Sequence, residues 1–491
     1  MTKVFWIAAS LWLALNLMTL TGYPAVWVDE ILLSDAGMHL AMGKGFVSSA
    51  WFNQPSWEFW AGYTPLYSFA VSGWLIVLGI SAFAVRSFGL AMVGGSLLMI
   101  WRFLKPLHND SARWMIILAL AVCEPLAFLE RAGRPDSVSL FLLSATALVF
   151  VEKDWRWRSA MLWLLGALAI PAALQYTAGL LVVALMVHIW FKAISRRDLM
   201  LWATGVASGA AVLGILYARH HVLKTFVEVT LVSKHSSAGR LLQNLILGHG
   251  EAPFVFSNIT TASFRDFATP VLIAGGVAIW LLAKRQQNTA ALKLSSFGVG
   301  CAIFIPLAIQ LLGKYPIYYT YMDAVPAAIG ILAAGAKLNG RARFVNVLLF
   351  ALLLIGGAGR FWWKAWQQGT QTIAESAQIV SPSDVLVADY PAYYQFIGRT
   401  RELFAIDYAG GKLMPTFPAS QAATVTKLIV RDSRFAEVAK KVGGAWQRVD
   451  DVTLLRNGSA SRLAMIDDDT RHPAMEALGI YVRSTAVVAR K

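Results

Sequence analysis

The amino-acid sequence predicts a polytopic α-helical membrane protein that carries a C-terminal α/β domain. Of its 491 residues, 57% are hydrophobic and only 14% are charged, and the mean hydropathy is +0.56. Soluble globular chains have a far more polar composition. Hydrophobic runs of membrane-spanning length recur from Val4 to about Phe361, and the chain is more polar after that point. We therefore predict two parts, a transmembrane domain at residues 1–364 and a soluble domain at residues 365–491.

The net charge of +15 reflects membrane topology and not a nucleic-acid-binding surface, because the basic residues concentrate in short loops between hydrophobic runs. Loops of this kind remain in the cytoplasm. The clusters that we place there, together with Lys3, are Arg102/Lys105/Arg113, Lys153/Arg156/Arg158, Lys192/Arg196/Arg197, Lys284/Arg285/Lys293 and Lys337/Arg341/Arg343. We expect no nucleic-acid partner.

These clusters and the hydrophobic runs predict about eleven transmembrane helices. We place them near residues 4–21, 87–104, 113–130, 136–152, 158–174, 177–192, 199–217, 269–284, 291–312, 318–337 and 343–361. No small-residue cleavage site follows the first hydrophobic run, so we predict a retained helix and not a signal peptide.

The hydrophobic stretch 65–85 would add one membrane-spanning helix more than this topology allows. If it crossed the membrane, every later basic cluster would move to the outside, so we predict that it lies along the surface or re-enters without crossing. The alternative is an ordinary span with a misassigned helix elsewhere. The predicted outer face then contains residues 22–86 (the first outer loop), the turn 131–136, the long outer loop 218–268 and the C-terminal domain.

The C-terminal domain is predicted to be a small α/β unit. Its predicted strands are Val385–Ala388, Leu403–Ile406, Leu428–Val430 and Val452–Leu455, and its predicted helices lie near Ala392–Ile397 and Phe435–Val442. It contains no glycine-rich phosphate loop, zinc-ligand spacing or nucleophile elbow. The two cysteines, Cys123 and Cys301, lie in hydrophobic runs, so no disulfide framework is expected.

The adjacent acids Asp29 and Glu30 follow directly after the first predicted helix, in the segment YPAVWVDE. Ionisable groups at a lipid–water boundary are costly and therefore commonly functional. A carboxylate there can act as a general base when partial burial raises its pKa, while its neighbour orients a substrate or binds a cation. This pair is our candidate catalytic site, and the alternative is a solvated pair of loop acids.

Two arginines lie at a predicted outer turn, in the segment ERAGRPDS, where the charge rule disfavours them. Arg131 and Arg134 therefore indicate an anionic ligand, or partners for outer carboxylates such as Asp136. The alternative is an ion pair that fixes the turn, for which Glu130 is close in sequence.

The long outer loop contains the segment SKHSSAGR, in which His235 and Arg240 are five residues apart. Arginine at a membrane surface can hold a phosphate through two parallel hydrogen bonds. Histidine can carry a proton or bind a metal ion. His249 and Glu251 follow in GHGEAPF, although one pair at this spacing is weak evidence for a metal site.

A fourth candidate segment, GKYPIYYTYMDAV, places Lys314 and Tyr319 at an outer interface. An aromatic belt at the membrane surface is the simpler explanation for its tyrosines. The functional alternative is that they stack on a sugar ring or hold a phosphate. Asp323 lies just inside the predicted span, where a carboxylate is unusual.

Taken together, these segments resemble the GT-C superfamily of membrane glycosyltransferases, in particular the branch of the protein O-mannosyltransferases and the lipid A aminoarabinose transferases. The resemblance rests on five groups of motifs in order along the membrane half. They are YPAVWVDE with AMGKGF, GYTPLY, FAVRSFG, RAGRPDS, and SKHSSAGR with GHGEAPF. The segment VLVADYPAYYQFIGR in the C-terminal domain is a looser match.

The resemblance implies a role for each candidate residue. The family's acid after the first helix, its catalytic carboxylate, corresponds to Asp29, and Glu30 would assist it. The family's long-loop arginine and histidine, which meet the donor phosphate or a metal ion, correspond to Arg240 and His235. The acid at its third outer turn corresponds to Asp136. The family's first outer loop also contains interfacial elements that do not cross the membrane.

One departure from the family concerns the donor phosphate. The aminoarabinose transferases carry Glu-Lys directly before a Pro-Pro-Leu-type segment, with the lysine on the phosphate, whereas this chain has Gly62–Pro65 at that place. A different cation, Arg86, Arg131 or Lys314, is then expected at the phosphate, and a metal site that uses the missing glutamate is in doubt. The remaining substrate-binding candidates are Asp136, Arg134, Tyr63 and Tyr319.

The sequence therefore predicts an enzyme, a glycosyltransferase that uses a polyprenyl-phosphate-linked sugar at the periplasmic face of the bacterial inner membrane. A hydroxyl of an envelope acceptor (lipid A, core glycan, polysaccharide or protein) would attack the anomeric carbon in one inverting displacement, with cations facing the leaving phosphate. This reaction requires no nucleotide, and the sequence indicates no definite cofactor. A divalent cation bound by His235 is an open alternative.

Two other functions are alternatives. The first is a transporter or flippase of a lipid-linked or anionic substrate, which would usually carry ionisable groups near mid-membrane and repeated halves. The second is a polymerase or ligase of surface polysaccharide, which shares the lipid-linked donor but not these motifs.

Overall fold

The computed structural model describes residues 2–24, 26–51, 54–105, 110–173, 184, 187–188, 194–229, 267–311, 317–338, 340–368, 372–373, 380–409, 412–415, 419–452, 454–455 and 478–483. The predicted site residues His235, Arg240 and Lys314 lie outside these residues, as does most of the predicted span 177–192.

The described part of the chain before residue 369 is built mainly from α-helices. These are α1 (Thr2–Thr19), α2 (Val28–Ala41), α3 (Leu66–Leu78), α4 (Ala82–Phe103), α5 (Asp110–Val122), α6 (Glu124–Leu129), α7 (Asp136–Val151), α8 (Arg158–Ala172), α9 (Arg196–Arg219), α10 (Leu223–Val227), α11 (Ala268–Arg285), α12 (Thr289–Leu311), α13 (Tyr321–Ala336), α14 (Arg341–Gly356) and α15 (Ala358–Gln368).

Among the described residues, five helical segments are long and apolar enough to cross a membrane, which supports a multi-pass membrane protein. They are Ala82–Phe103, Arg196–Arg219, Ala268–Arg285, Thr289–Ala308 and Arg343–Gln367. The predicted spans at α1, α7, α8 and α13 coincide with shorter apolar helices. The predicted total of about eleven spans therefore stays a prediction.

Two segments differ in length from an ordinary span. The predicted span 113–130 is divided at Cys123 into α5 and α6. Pro125 lies in the first turn of α6, and the Glu124 carboxylate accepts a hydrogen bond from the Phe267 N–H over 2.7 Å. Helix α3, in the stretch predicted not to cross, has 13 residues. It is thus about 20 Å long, less than the about 30 Å of a hydrocarbon core.

Glycines allow α8 and α9 to pack with their backbones in contact. A Cβ atom on Gly166 would lie 2.1 Å from the Trp202 carbonyl oxygen, and one on Gly205 would lie 2.0 Å from the Trp163 carbonyl oxygen. Small residues commonly permit this close approach in membrane helices. Helix α9 is thereby held against α8.

The C-terminal part of the chain contains a six-stranded mixed sheet and, apart from it, a pair of short strands. The strands are β1 (Thr372–Ile373), β2 (Val385–Asp389), β3 (Glu402–Ala409), β4 (Lys412–Pro415), β5 (Lys427–Arg431), β6 (Trp446–Val452), β7 (Leu454–Leu455) and β8 (Leu478–Arg483). The sheet has the order β4-β3-β2-β5-β8-β6, and β1 pairs with β7. Strand β2 is parallel to β3 and β5, and the other pairs are antiparallel. Helices α16 (Tyr390–Phe396) and α17 (Asp432–Val442) follow β2 and β5.

The two faces of the sheet bury different sets of side chains, because successive residues of a strand point to opposite faces. Val385 and Val387 of β2 belong to a cluster with α17, whereas Leu386 and Ala388 belong to a cluster that includes Ile31 of α2. The sheet therefore lies between α17 and the helices of the membrane half. The predicted strands at β2, β3 and β5 and both predicted helices are confirmed.

We predict that Gly205→Ala lowers the melting temperature of the purified protein, because the added Cβ meets the backbone of α8. The matched control is Gly214→Ala in the same helix, where a Cβ meets nothing within 4 Å. Alanine favours a helix over glycine by about 1 kcal/mol, so the control should keep or raise the melting temperature. Equal shifts in the two variants, measured by thermal unfolding in detergent, would contradict this packing.

Candidate active site

Asp29 and Glu30 lie in the first turn of α2, where the free N–H groups of a helix favour acidic side chains. Trp27 precedes the helix in an extended conformation, and its indole N–H donates to the Ala132 carbonyl over 3.0 Å. This bond attaches the start of α2 to the turn before α7. Consecutive residues are about 100° apart around a helix, so the two carboxylates reach different surroundings.

Glu30 is fully buried and pairs with Arg86 of α4, which is also fully buried. Arg86 donates to the two carboxylate oxygens over 3.0 and 2.7 Å. It also donates to the carbonyls of Leu20 and Pro24 over 3.1 and 2.8 Å. The pair thus joins α2, α4 and the segment that follows α1, and Arg86 lies inside the protein as the partner of an acid.

A tight turn at Ala132–Arg134 packs against this ion pair. Gly133 has a φ of +59°, a left-handed conformation that residues with a side chain rarely adopt. A Cβ atom on Gly133 would also lie 2.5 Å from the Glu30 Cγ atom. The glycine of the RAGR segment is therefore required both by the backbone and by the close contact with the acid.

Asp29 is the more accessible of the two acids, with 32% of its side chain exposed. Its Oδ2 atom accepts a hydrogen bond from Arg134 Nη1. Arg134 Nε donates to Asp136 Oδ2 over 2.8 Å, and the guanidinium carbon lies 3.7 Å from the centre of the Tyr318 ring. Arg134 therefore bridges two carboxylates while an aromatic ring fixes its plane.

Two predicted tyrosines border this bridge. The Tyr319 ring is nearly buried, and its centre lies 4.9 Å from that of Tyr318. Burial raises the pKa of Tyr63, and the charge of Asp136 raises it further, with a smaller contribution from Asp29. The Tyr63 phenol therefore lies within electrostatic reach of both carboxylates. The structure thus brings together five of the predicted residues, namely Asp29, Arg134, Asp136, Tyr63 and Tyr319.

Arg131 takes no part in this bridge and instead contacts α1 and Glu130. It is fully buried and donates to Asn16 Oδ1 over 2.5 Å and to Thr19 Oγ1 over 3.0 Å, both on α1. It also donates to the Glu130 carboxylate over 3.3 Å. These contacts favour the alternative in which Arg131 fixes the turn.

Two tyrosines of α16 reach the same region, and the sequence analysis assigned them no role. The Tyr394 hydroxyl donates to Glu30 Oε1 over 3.3 Å, and the Tyr393 hydroxyl donates to Asp35 Oδ1 over 2.5 Å. Both lie in VLVADYPAYYQFIGR, the looser part of the family resemblance, which was the available signal. The C-terminal sheet is therefore linked to two acids of α2.

Asp35 is fully buried and accepts hydrogen bonds from Ser48 Oγ and from the Ser49 and Ala50 N–H groups over 2.8, 2.8 and 3.0 Å. His39 Nδ1 lies 3.2 Å from its Oδ1 atom. Burial alone would raise the pKa of Asp35, but the charge of His39 and the hydrogen bonds hold it below its usual value. Burial alone would lower the pKa of His39, but Asp35 raises it above its usual value.

The described residues give no closed set of metal ligands. Among them, no three His, Cys, Asp or Glu side chains are grouped so that they could hold one ion. His235, the predicted ligand, lies outside the described residues, so a divalent cation stays a prediction.

Several solved structures resemble this chain. ArnT from Cupriavidus metallidurans in the apo state is 14% identical, with 91% of this chain and 96% of that chain covered and a TM-score of 0.56. The same protein bound to undecaprenyl phosphate is 11% identical, with 99% of each chain covered and a TM-score of 0.57. The arabinofuranosyltransferase AftD from Mycobacteria is 15% identical, with 99% of this chain and 40% of that chain covered and a TM-score of 0.50.

The sequence alone does not establish these likenesses. No protein-family model matches the chain, and no curated protein matches its sequence. The structural matches extend over 91–99% of this chain, and at 11–15% identity they show a shared fold. The chain therefore has a fold similar to that of ArnT, and the resemblance predicted from the sequence motifs is confirmed at the level of the fold.

Proposed function

We propose that the protein is a glycosyltransferase that moves a sugar from a polyprenyl-phosphate donor to a hydroxyl of a cell-envelope acceptor. The observation that carries this proposal is the partly exposed carboxylate of Asp29, held by Arg134 at the start of α2. The fold resembles that of ArnT, which has been solved with undecaprenyl phosphate bound. We place the protein in the bacterial inner membrane, with the site and residues 365–491 on the periplasmic side.

Asp29 is the general base in this mechanism. Its carboxylate takes the proton of the acceptor hydroxyl as the hydroxyl oxygen attacks the anomeric carbon. The bond from that carbon to the donor phosphate oxygen breaks, the phosphate leaves with the electron pair, and the anomeric configuration inverts. Arg134 orients the carboxylate, and Asp136 orients Arg134. Tyr63 and Tyr319 border the place of the sugar ring.

The leaving phosphate requires cations that face its developing charge. Arg86 and Arg131 are buried and donate to Glu30 and Glu130, respectively. We therefore assign Arg86 and Arg131 to positioning roles. The donor phosphate is assigned to the remaining predicted residues, which are Arg240, His235 and Lys314.

The placement of the acids favours a transferase over the transporter alternative. Asp29 and Glu30 lie in the first turn of α2, and Asp136 lies in the first turn of α7. A transporter usually binds its substrate near the middle of the membrane. Acids at the ends of helices instead suit a reaction at the membrane surface.

We predict that Asp29→Asn lowers the transfer rate by about a hundredfold or more, because an amide cannot take the acceptor proton. The measurement is mass spectrometry of surface glycans, lipid A and membrane glycoproteins from wild type, a deletion strain, and the deletion strain carrying the variant at matched expression. One sugar should be missing in the deletion strain, and the variant should fail to restore it.

The matched control for this experiment is Asp110→Asn, because the Asp110 side chain is 77% exposed in a predicted cytoplasmic segment. It should restore the missing sugar. If Asp29→Asn restores it as well, the assignment of the base is wrong and the transporter alternative is favoured.

We also predict that Glu30→Gln and Arg86→Gln each destabilise the protein by about 3–5 kcal/mol, because each leaves one buried charge without its partner. The double variant should lose less stability than the sum of the losses in the two single variants. Thermal unfolding in detergent measures this. If Arg86 instead held the donor phosphate, Arg86→Gln would raise the donor KM with little change in melting temperature.

A further inference from the structure

A cleft of about 330 Å³ lies between the first outer loop and the C-terminal sheet. Its wall on the loop side includes His39, Lys44 and Trp57, and its wall on the sheet side includes Arg401 and Glu402. None of these five side chains takes part in the transfer mechanism given above. The cleft therefore contains charged and aromatic side chains that have no role in the proposed reaction.

The charges in the cleft favour an anionic ligand. Lys44 and Arg401 are exposed cations on opposite walls, whereas Glu402 is the one acid among the described residues that line the cleft. His39 also lines the cleft, and its Nδ1 atom lies 3.2 Å from Asp35 Oδ1, so its charge is matched by that of the buried acid. Arginine binds phosphate and carboxylate groups through two parallel hydrogen bonds.

The cleft also contains an exposed aromatic ring. Trp57 is 60% exposed, and the apolar side chains Val47, Ile397, Leu403 and Phe404 also line the cleft. An indole offers a broad flat apolar surface together with a hydrogen-bond donor. The C–H face of a sugar ring packs well against such a surface, while Glu402 can accept a hydrogen bond from a sugar hydroxyl. A cleft lined by both an aromatic ring and cations thus suits a charged sugar better than a free phosphate.

The position of the cleft separates it from the reacting atoms. Asp29 and His39 are both residues of α2 and are ten positions apart. They are therefore about 15 Å apart along the helix axis. A ligand in the cleft cannot present its hydroxyl to Asp29 from the same sugar ring, so an extended molecule must reach from one place to the other.

We propose that this cleft binds an anionic sugar residue of the acceptor, one that carries a phosphate or a carboxylate, at a distance from the hydroxyl that reacts. The inference rests on the proposed function, since it names a chemical class for the acceptor. Arg401 and Lys44 bind the anionic group, and Trp57 packs against the ring. Binding energy from this remote part of the acceptor holds the reacting hydroxyl near the base.

The link between α16 and α2 holds the two walls of the cleft together. Ser49 lines the cleft, and its hydroxyl lies 3.0 Å from the Tyr393 hydroxyl. Tyr393 in turn donates to Asp35 over 2.5 Å. The cleft is therefore built on a buried hydrogen-bond network, which keeps Arg401 opposite Lys44.

The test is isothermal titration calorimetry on the full chain in lipid nanodiscs, with glucose 6-phosphate, glucuronate, glucose and inorganic phosphate as probes. We expect both anionic sugars to bind more tightly than glucose or phosphate alone. Arg401→Gln should weaken binding of the anionic sugars by about tenfold or more, since a hydrogen bond to a charged group is lost. Trp57→Leu should weaken the binding of the sugars but not the binding of inorganic phosphate.

The matched control is Arg399→Gln, an exposed arginine two positions away that does not line the cleft. It should leave binding unchanged. Equal affinity for all four probes, or equal losses in the Arg399 and Arg401 variants, would overturn the proposal. In transfer assays, Arg401→Gln should lower kcat/KM for the acceptor by a similar factor.

The two proposals can fail separately. Asp29→Asn should abolish transfer and keep the binding of glucose 6-phosphate. If transfer is lost in this variant but the wild type shows no preference for anionic sugars, the cleft proposal fails and the proposed function stands. If the wild type prefers anionic sugars but Asp29→Asn restores the missing glycan, the proposed function fails.

Discussion

The buried ion pair between Glu30 and Arg86 is the constraint on which the candidate site depends. Both side chains are removed from solvent, and a buried charge is tolerated only when its partner and its hydrogen bonds are present. Arg86 therefore also donates to two backbone carbonyls that follow α1, and Tyr394 donates to the acid. The pair has all of these hydrogen bonds only when α2, α4, the segment after α1 and α16 have come together. It thereby sets where α2 begins and where Asp29 stands.

The geometry of a helix divides the adjacent acids into two roles. Because Asp29 and Glu30 point in directions about 100° apart, one reaches a buried arginine and the other stays partly exposed beside Arg134. An acid inside the protein with a bidentate partner is suited to hold structure. An acid that keeps about a third of its side chain exposed, with its arginine shared by Asp136, is suited to meet a substrate. Two adjacent carboxylates thus acquire different roles because they have different partners.

Local patterns in the sequence predicted the acids and the RAGRPD turn, and the structure places them in contact. They were visible because charges beside long hydrophobic runs stand out. Arg86 also stood out as a charge, but its partner is 56 positions away, so it was expected to bind the donor phosphate. Tyr394 is 364 positions from Glu30, and only the fold brings them together. In the sheet, the buried strands β2, β3 and β5 were predictable as apolar runs, whereas the edge strands β4 and β6 lack that signal. Strand β8 is an internal strand that the sequence analysis did not predict.

One short helix connects the candidate site to the proposed acceptor cleft. Tyr393 and Tyr394 are neighbours on α16, and they donate to two different acids of α2. Asp35 belongs to the network under the cleft, whereas Glu30 belongs to the ion pair beside Asp29, the proposed general base. A movement of the sheet against α2 would therefore disturb both contacts at once. If the cleft binds an acceptor as proposed, that binding would hold the sheet against α2 and would thereby stabilise the ion pair beside Asp29.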